Sequence, residues 1–144
     1  MIRSILTVCI GNICRSPMAA GLLRALARVP GALGGTGRAL EHAGGPASRQ
    51  LLLERGIDIE AHRAIQLSAS HCSGVDIILV MDADQKRVTQ ETYRATRGKV
   101  FRLGEFQDRD IFDPYGGNRA DFEQCLALIE AGVDEWAQRI ALTA

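Results

Sequence analysis

Residues 5–17 read Ile5-Leu6-Thr7-Val8-Cys9-Ile10-Gly11-Asn12-Ile13-Cys14-Arg15-Ser16-Pro17. A short apolar and β-branched run leads into a tight loop containing a glycine, and the loop leads into Arg-Ser-Pro and a helical pattern. Strand, loop and helix in that order open a βαβ unit of a parallel sheet. The first turn of a helix carries N–H groups without intrahelical partners and the positive end of the helix dipole, so such a loop gathers backbone donors on an anion. Cys9 stands at its floor and Arg15 at its exit. Ser16 follows, and Pro17 is expected at the first helical position, where its missing N–H is no loss.

Outward from this stretch, residues 18–29 place Met18, Leu22, Leu23, Leu26 and Val29 at helical spacing, and Pro30-Gly31 end the run. The glycine-rich stretch 30–47 offers only Ala32-Leu33 as the start of a weak second strand. Residues 48–55 read as a helix with Ser48 as a cap and Gly56 beyond its end. Residues 75–81, Val-Asp-Ile-Ile-Leu-Val-Met, form the strongest strand signal. Such a β-branched run belongs in a parallel sheet covered on both faces. A helix over 82–92, capped by Asp82 or Asp84, and a strand over 99–103 follow. Residues 118–142 make a long amphipathic helix with Phe122, Leu126, Ile129, Val133, Trp136 and Ile140 on its core face. Trp136 reads as packing. The expected architecture is α/β: one domain over 1–144, a three-layer sandwich with a parallel sheet, its ligand loop after strand 1 at the C-terminal strand ends.

At 144 residues the chain is long enough to bury a core. Its 17 basic and 17 acidic residues balance, which points away from nucleic acid as a partner. The N-terminal apolar stretch is too short for an export signal or a bilayer span, so a cytoplasmic protein without membrane insertion is expected. Cys9, Cys14, Cys72 and Cys125 are irregularly spaced, and a reducing compartment disfavours structural disulfides. His42, His62 and His71 form no ligand motif with them. No metal site or cofactor is expected.

The chemistry of the first loop follows from its residue types. N–H dipoles and a neighbouring guanidinium stabilise a thiolate, so Cys9 is read as an acidic, nucleophilic thiol in a phosphate-sized cradle. The Arg15 fork suits two phosphate oxygens and the charge spread over them in the transition state. Gly11 lets the backbone turn its N–H groups inward. Ser16 has a hydroxyl to offer the thiolate. Expelling an alkoxide or phenoxide requires an acid, and Asp113, in Asp113-Pro114-Tyr115-Gly116-Gly117, is the candidate. Pro114 stiffens that loop, and Tyr115 offers an aromatic wall. Asp110 is the fallback acid, while Asp108, Arg109 and Asp110 otherwise read as solvated charges. Cys14 is placed either to form a reversible disulfide with Cys9 or to pack the loop. Cys72 and Cys125 read as structural.

The segment Val8–Pro17, together with Asp113-Pro114-Tyr115 and His62-Arg63-Ala64, resembles the low-molecular-weight protein tyrosine phosphatases. Weaker likeness covers 34–47, 75–81 and 99–101, so the resemblance spans nearly the whole chain. Residues 34–40 and the Asp-Pro-Tyr loop look most like bacterial members encoded with tyrosine kinases of polysaccharide export. The resemblance implies a four-stranded parallel sheet flanked by helices. It implies Cys9 as nucleophile, Arg15 as phosphate clamp, Asp113 as acid and base, and no metal. Ile10, Gly11, Asn12, Ile13, Cys14 and Ser16 would line the phosphate with Tyr115 beside the ring. Asn12 would brace the loop through Ser16 and His62, with His62 and Pro114 as supports behind the site. The implied substrate is a phosphotyrosine protein, an autophosphorylating kinase, met by a monomeric phosphatase.

Three positions depart from the family pattern. Leu33-Gly34-Gly35 replaces Ser-Ala-Gly, Ala20 replaces an acidic residue, and Ile65-Gln66 replaces Arg-Gln. These touch support rather than the chemical groups. Two other readings compete. A thioredoxin-coupled arsenate reductase uses a similar loop but needs two further, closely spaced cysteines. A non-catalytic phosphopeptide-binding module would keep the cradle without turnover.

Overall fold

The computed structural model describes residues 2–9, 15–27, 31–36, 46–58, 65–66, 68–114 and 116–142. These form five strands, β1 (Ser4–Val8), β2 (Gly31–Thr36), β3 (Ile65–Gln66), β4 (Ile77–Val80) and β5 (Val100–Arg102). The helices are α1 (Arg15–Leu22), continued by a π-helical turn Leu23–Ala27, α2 (Pro46–Leu53), α3 (Ala69–Ser73), α4 (Ala83–Thr92) and α5 (Arg119–Ala141).

All strand pairs are parallel and the order is β3-β2-β1-β4-β5. The chain moves outward on one side of β1 to β2 and β3, then returns to β4 on its other side. The order therefore reverses between β1 and β4, the crevice where open α/β sheets bind ligands. The strand count corrects the expected four. The extra strand is the two-residue edge β3, too short to leave a hydrophobic pattern, and it carries the departing Ile65-Gln66 pair.

Alternation along the strands builds two cores. Ile5, Ile77, Leu79 and Met81 pack with Met18 and Leu22 of α1, Leu51 and Leu52 of α2, and Leu126, Ile129 and Val133 of α5. Leu6, Val8, Ile78, Val80 and Val100 turn to the other face with Cys72 of α3, against Tyr93 beyond α4. Period-two geometry thus places Cys9 on the α1 and α5 side, fully buried.

The helix boundaries have local causes. Pro17 is the third residue of α1, inside the turn where an N–H has no partner. The run expected to begin at residue 18 therefore starts at Arg15. The cap assigned to Ser48 is also corrected. The helix begins at Pro46, and Ser48 lies inside it, fully buried. Gly56 does end that helix, at φ +76, with Ile57 N donating to Leu52 O and Gly56 N to Leu53 O. Asp82 caps α4 by accepting from Gln85 N at 2.7 Å. Asn118 and Asp121 form a reciprocal capping box on α5, a device contributing about 1 kcal/mol.

The core face expected for α5 is buried, and Trp136 Nε1 donates to Leu103 O at 3.1 Å. Gly132 lets that helix close on β5: a Cβ there would lie 2.8 Å from Leu103 O.

Candidate active site

Cys9 follows β1 directly and Arg15 opens α1, so the two ends of the first loop sit at the C-terminal edge of the sheet. Residues 10–14, and with them the expected roles of Ile10, Gly11, Asn12, Ile13 and Cys14, lie outside the described residues. So do His62 and Tyr115, and for Ser16 only its place in α1 is described.

Arg15 is the centre of what is described. Its side chain is only 4% exposed. Nη1 donates to Ile111 O at 2.7 Å, Asp82 Oδ2 lies 3.9 Å from Nη1, and Asp113 Oδ2 lies 3.9 Å from Nη2. Nε has no hydrogen-bond partner among the described residues. A guanidinium has five donors, and an isolated buried cation loses several kcal/mol of hydration. Two carboxylates beyond hydrogen-bond length offset the charge without occupying the fork. The arrangement leaves Arg15 able to donate to a further anion.

Asp113 reaches this point from the far side of the chain. Its side chain is 41% exposed, beside Arg15 but open to solvent. The segment before it is pinned in consecutive steps. Asp110 accepts from Ala83 N, Ile111 N donates to Met81 O at 2.8 Å, and Phe112 O accepts from Cys125 Sγ at 3.4 Å. After it, Gly117 N donates to Pro114 O, Gly116 takes φ +80 and Pro114 is buried. The carboxyl is thus carried by a short span held at both ends.

The structure brings together Arg15 and Asp113 and sets Cys9 at the same edge of the sheet. Asp108 and Asp110, read as solvated charges, are indeed exposed, at 94% and 52%. Both bind Arg102, and Asp110 also caps Ala83 N, so the fallback acid is already engaged. The structure adds Asp82 and the Ile111 carbonyl to the surroundings of Arg15. Asp82 had been legible as a cap only. Its place right after the strongest strand, at the ligand-binding end of the sheet, was the available signal.

Cys72 and Cys125 are buried on opposite faces of the sheet. Burial pushes the Cys72 thiol up, the reverse of what a nucleophile needs. A cavity of about 240 Å³, lined by Cys72, Tyr93, Thr96 and Lys99 among others, lies near the N-terminal end of β5 and contains none of the site residues. No helix among the described residues is long and apolar enough to cross a membrane.

Comparison with known proteins agrees with this geometry. Residues 4–143 match the family model described as low molecular weight phosphotyrosine protein phosphatase. The chain is 48% identical over 141 residues to a probable low molecular weight protein-tyrosine-phosphatase, EpsP, of Ralstonia nicotianae, covering 97% of each chain. It superposes on Vibrio vulnificus Wzb in complex with benzylphosphonate with a TM-score of 0.91 at 28% identity, covering 96% of this chain and 99% of that one. It also resembles the YwlE arginine phosphatase of Geobacillus stearothermophilus, with a TM-score of 0.87 at 31% identity and coverage of 98% and 94%. With a matching model over nearly its full length and an alignment to match, the chain belongs to the low molecular weight phosphotyrosine protein phosphatase family.

Proposed function

We propose that residues 1–144 act as one catalytic domain that hydrolyses phosphotyrosine on proteins through a phosphocysteine, without a metal. The Cys9 thiolate attacks phosphorus in line. The S–P bond forms as the P–O bond to the tyrosyl oxygen breaks, and Asp113 gives its proton to that oxygen. In the second step the Asp113 carboxylate takes a proton from water, the new P–O bond forms, and the S–P bond breaks to release inorganic phosphate. Arg15 and the amides of residues 10–14 hold the equatorial oxygens through both transition states. Ser16 serves the thiolate, Asn12 and His62 brace the loop, Pro114 holds the acid span and Tyr115 flanks the ring.

The observation that carries this reading is Arg15. Among the described residues it is a buried guanidinium with one short bond, an unpartnered Nε, and a candidate acid 3.9 Å away. A cation needed only for stability would have its donors filled. The resemblance to bacterial members encoded with polysaccharide-export kinases extends the proposal to an autophosphorylating tyrosine kinase as substrate, met in the cytoplasm by a monomer. The arsenate-reductase alternative lacks its relay, since Cys72 and Cys125 lie on opposite faces of the sheet.

The test is steady-state hydrolysis of an aryl phosphate, a phosphotyrosine peptide and a phosphoarginine peptide, with EDTA present, by wild type and Cys9→Ser. The proposal predicts turnover of the first two by wild type, and its loss in the variant. Turnover of phosphoarginine alone would reassign the substrate. Folded wild type that binds phosphotyrosine peptide without turnover would make this a binding module.

A further inference from the structure

A second arginine, Arg102, stands at the same C-terminal edge of the sheet. Arg102, the last residue of β5, is 17% exposed and gives every arm of its fork to a carboxylate. Nε donates to Glu105 Oε2 at 3.1 Å, Nη1 to Asp110 Oδ1 at 3.1 Å, and Nη2 to Asp108 Oδ1 at 2.8 Å. All three carboxylates belong to the single stretch that leaves β5 and leads to Asp113. The stretch folds back on itself: Arg109 N donates to Gly104 O, and a Cβ on Gly104 would collide with Arg109 O. Asp108 takes a left-handed conformation, φ +50, rare for a residue with a side chain. Arg102 collects the negative charge that this reversal would otherwise crowd together.

Asp110 connects the cluster to the site. The oxygen that accepts from Arg102 also accepts from Ala83 N at 3.1 Å. Ala83 is the first residue of α4 and follows Asp82, whose carboxylate stands beside Arg15. On its other side, Asp110 precedes Ile111, whose carbonyl accepts from Arg15 and whose N–H donates to Met81 O. Asp113 comes two residues later. One carboxylate thus ties β5, the N-terminus of α4 and the base of the acid span together.

We propose that Arg102 and Asp110 are positioning residues for the general acid, holding residues 110–113 against α4 so that the Asp113 carboxyl meets the leaving oxygen. The proposal rests on the assignment of Asp113 as that acid. An exposed ion pair alone adds little stability, and the cluster's effect is geometric. Proton transfer in the transition state is sensitive to misplacement of the acid. The need for the acid grows as the leaving group becomes more basic, so the signature is substrate-dependent.

The experiment measures kcat/KM for p-nitrophenyl phosphate, a good leaving group, and for phenyl phosphate, a poor one. The proteins are wild type, Arg102→Met, Asp110→Asn, Asp108→Asn and Asp113→Ala, with inorganic phosphate as competitive inhibitor and circular dichroism to verify folding. Asp113→Ala sets the scale, with a loss of about 10²-fold on phenyl phosphate and a much smaller one on p-nitrophenyl phosphate. Arg102→Met and Asp110→Asn are expected to lose roughly 10-fold on phenyl phosphate and under about 3-fold on p-nitrophenyl phosphate, with phosphate inhibition unchanged. Asp108→Asn, whose carboxylate is 94% exposed and reaches no other part of the site, is expected to match wild type. Equal losses on both substrates in Arg102→Met and Asp110→Asn, with Asp113→Ala still selective, would overturn the positioning role. If Asp113→Ala itself shows no leaving-group selectivity, the acid assignment fails and this proposal falls with it.

Discussion

Two arginines at the same edge of the sheet have opposite surroundings. Arg102 is saturated: three carboxylates lie at hydrogen-bond length, and they push its already high pKa further up. Arg15 is more deeply buried, yet among the described residues it has one short bond, to a carbonyl, and two carboxylates at 3.9 Å. Charge is balanced around both. Donor capacity is filled around one and left open around the other. A buried cation whose fork is not consumed by its neighbours is poised for a ligand, whereas a saturated one holds chain segments together.

The sharpest way to break this contrast is to remove each guanidinium in turn. Arg15→Met is expected to lower kcat/KM for an aryl phosphate by about 10² to 10³-fold, the scale of losing a principal donor to developing charge. Its melting temperature should not fall, because the substitution relieves a desolvated charge and leaves the two carboxylates reachable by water. Inorganic phosphate should raise the melting temperature of wild type and not of Arg15→Met, as binding to the native state requires. Arg102→Met should do the reverse, losing up to about 1 kcal/mol of stability while retaining most of its phosphate affinity. Urea unfolding of both variants with and without phosphate checks the pair, and equal responses would remove the distinction.

A smaller effect comes from Asp82. Asp82→Asn keeps a good helix cap but removes a negative charge beside Arg15. Inorganic phosphate should then bind roughly 3-fold more tightly, in keeping with charges a few ångströms apart in a partly screened site. Weaker binding would mean that Asp82 orients the guanidinium rather than tempering it.

The smallest expected effect lies at the other end of β1. Arg3 N and Ser4 N donate to Asp76 Oδ2 at 2.8 and 3.1 Å, and these bonds hold its carboxyl below its ordinary value of 3.8. A depressed folded-state value means the stabilisation is present above the unfolded value and is lost as pH falls through the folded one. Asp76→Asn should therefore melt below wild type at neutral pH, and the gap should close under acid conditions, below about pH 3.8. A gap that persists unchanged at low pH would show that the charge is not what holds the latch.

How much of this was legible in the chain varied with the physics. The strands at 5–8 and 77–80 lie in a sheet covered on both faces, so burial wrote a nearly continuous apolar run into each. The long C-terminal helix has one buried face and a reciprocal cap, and both left plain spacing. Strand β2 was harder, because Gly31, Gly34 and Gly35 carry no side chain to make a pattern. It is set by pairing with β1, which brings Leu6 opposite Leu33 and Thr7 opposite Gly34. Ser48 was misread because a serine before an apolar run looks like a cap, whereas Pro46 begins the helix and the serine is buried within it.

At the candidate site, Cys9, Arg15 and Asp113 could be named as candidates from spacing and chemistry. Arg102 could not, and Asp110 only as a fallback acid. Their connection depends on the loop reversal at Gly104 and Asp108, a tertiary event that no local pattern encodes.

The central claim is that Cys9 carries the phosphoryl group. Acid-quenching wild-type enzyme during turnover of an aryl phosphate, followed by peptide mass spectrometry, tests it directly. A phosphorylated peptide at Cys9, absent when Cys9→Ser is treated identically and increased when Asp113→Ala slows its hydrolysis, is the predicted result. Undiminished hydrolysis by Cys9→Ser, with no phosphoryl group found on Cys9 of the wild type, would contradict it.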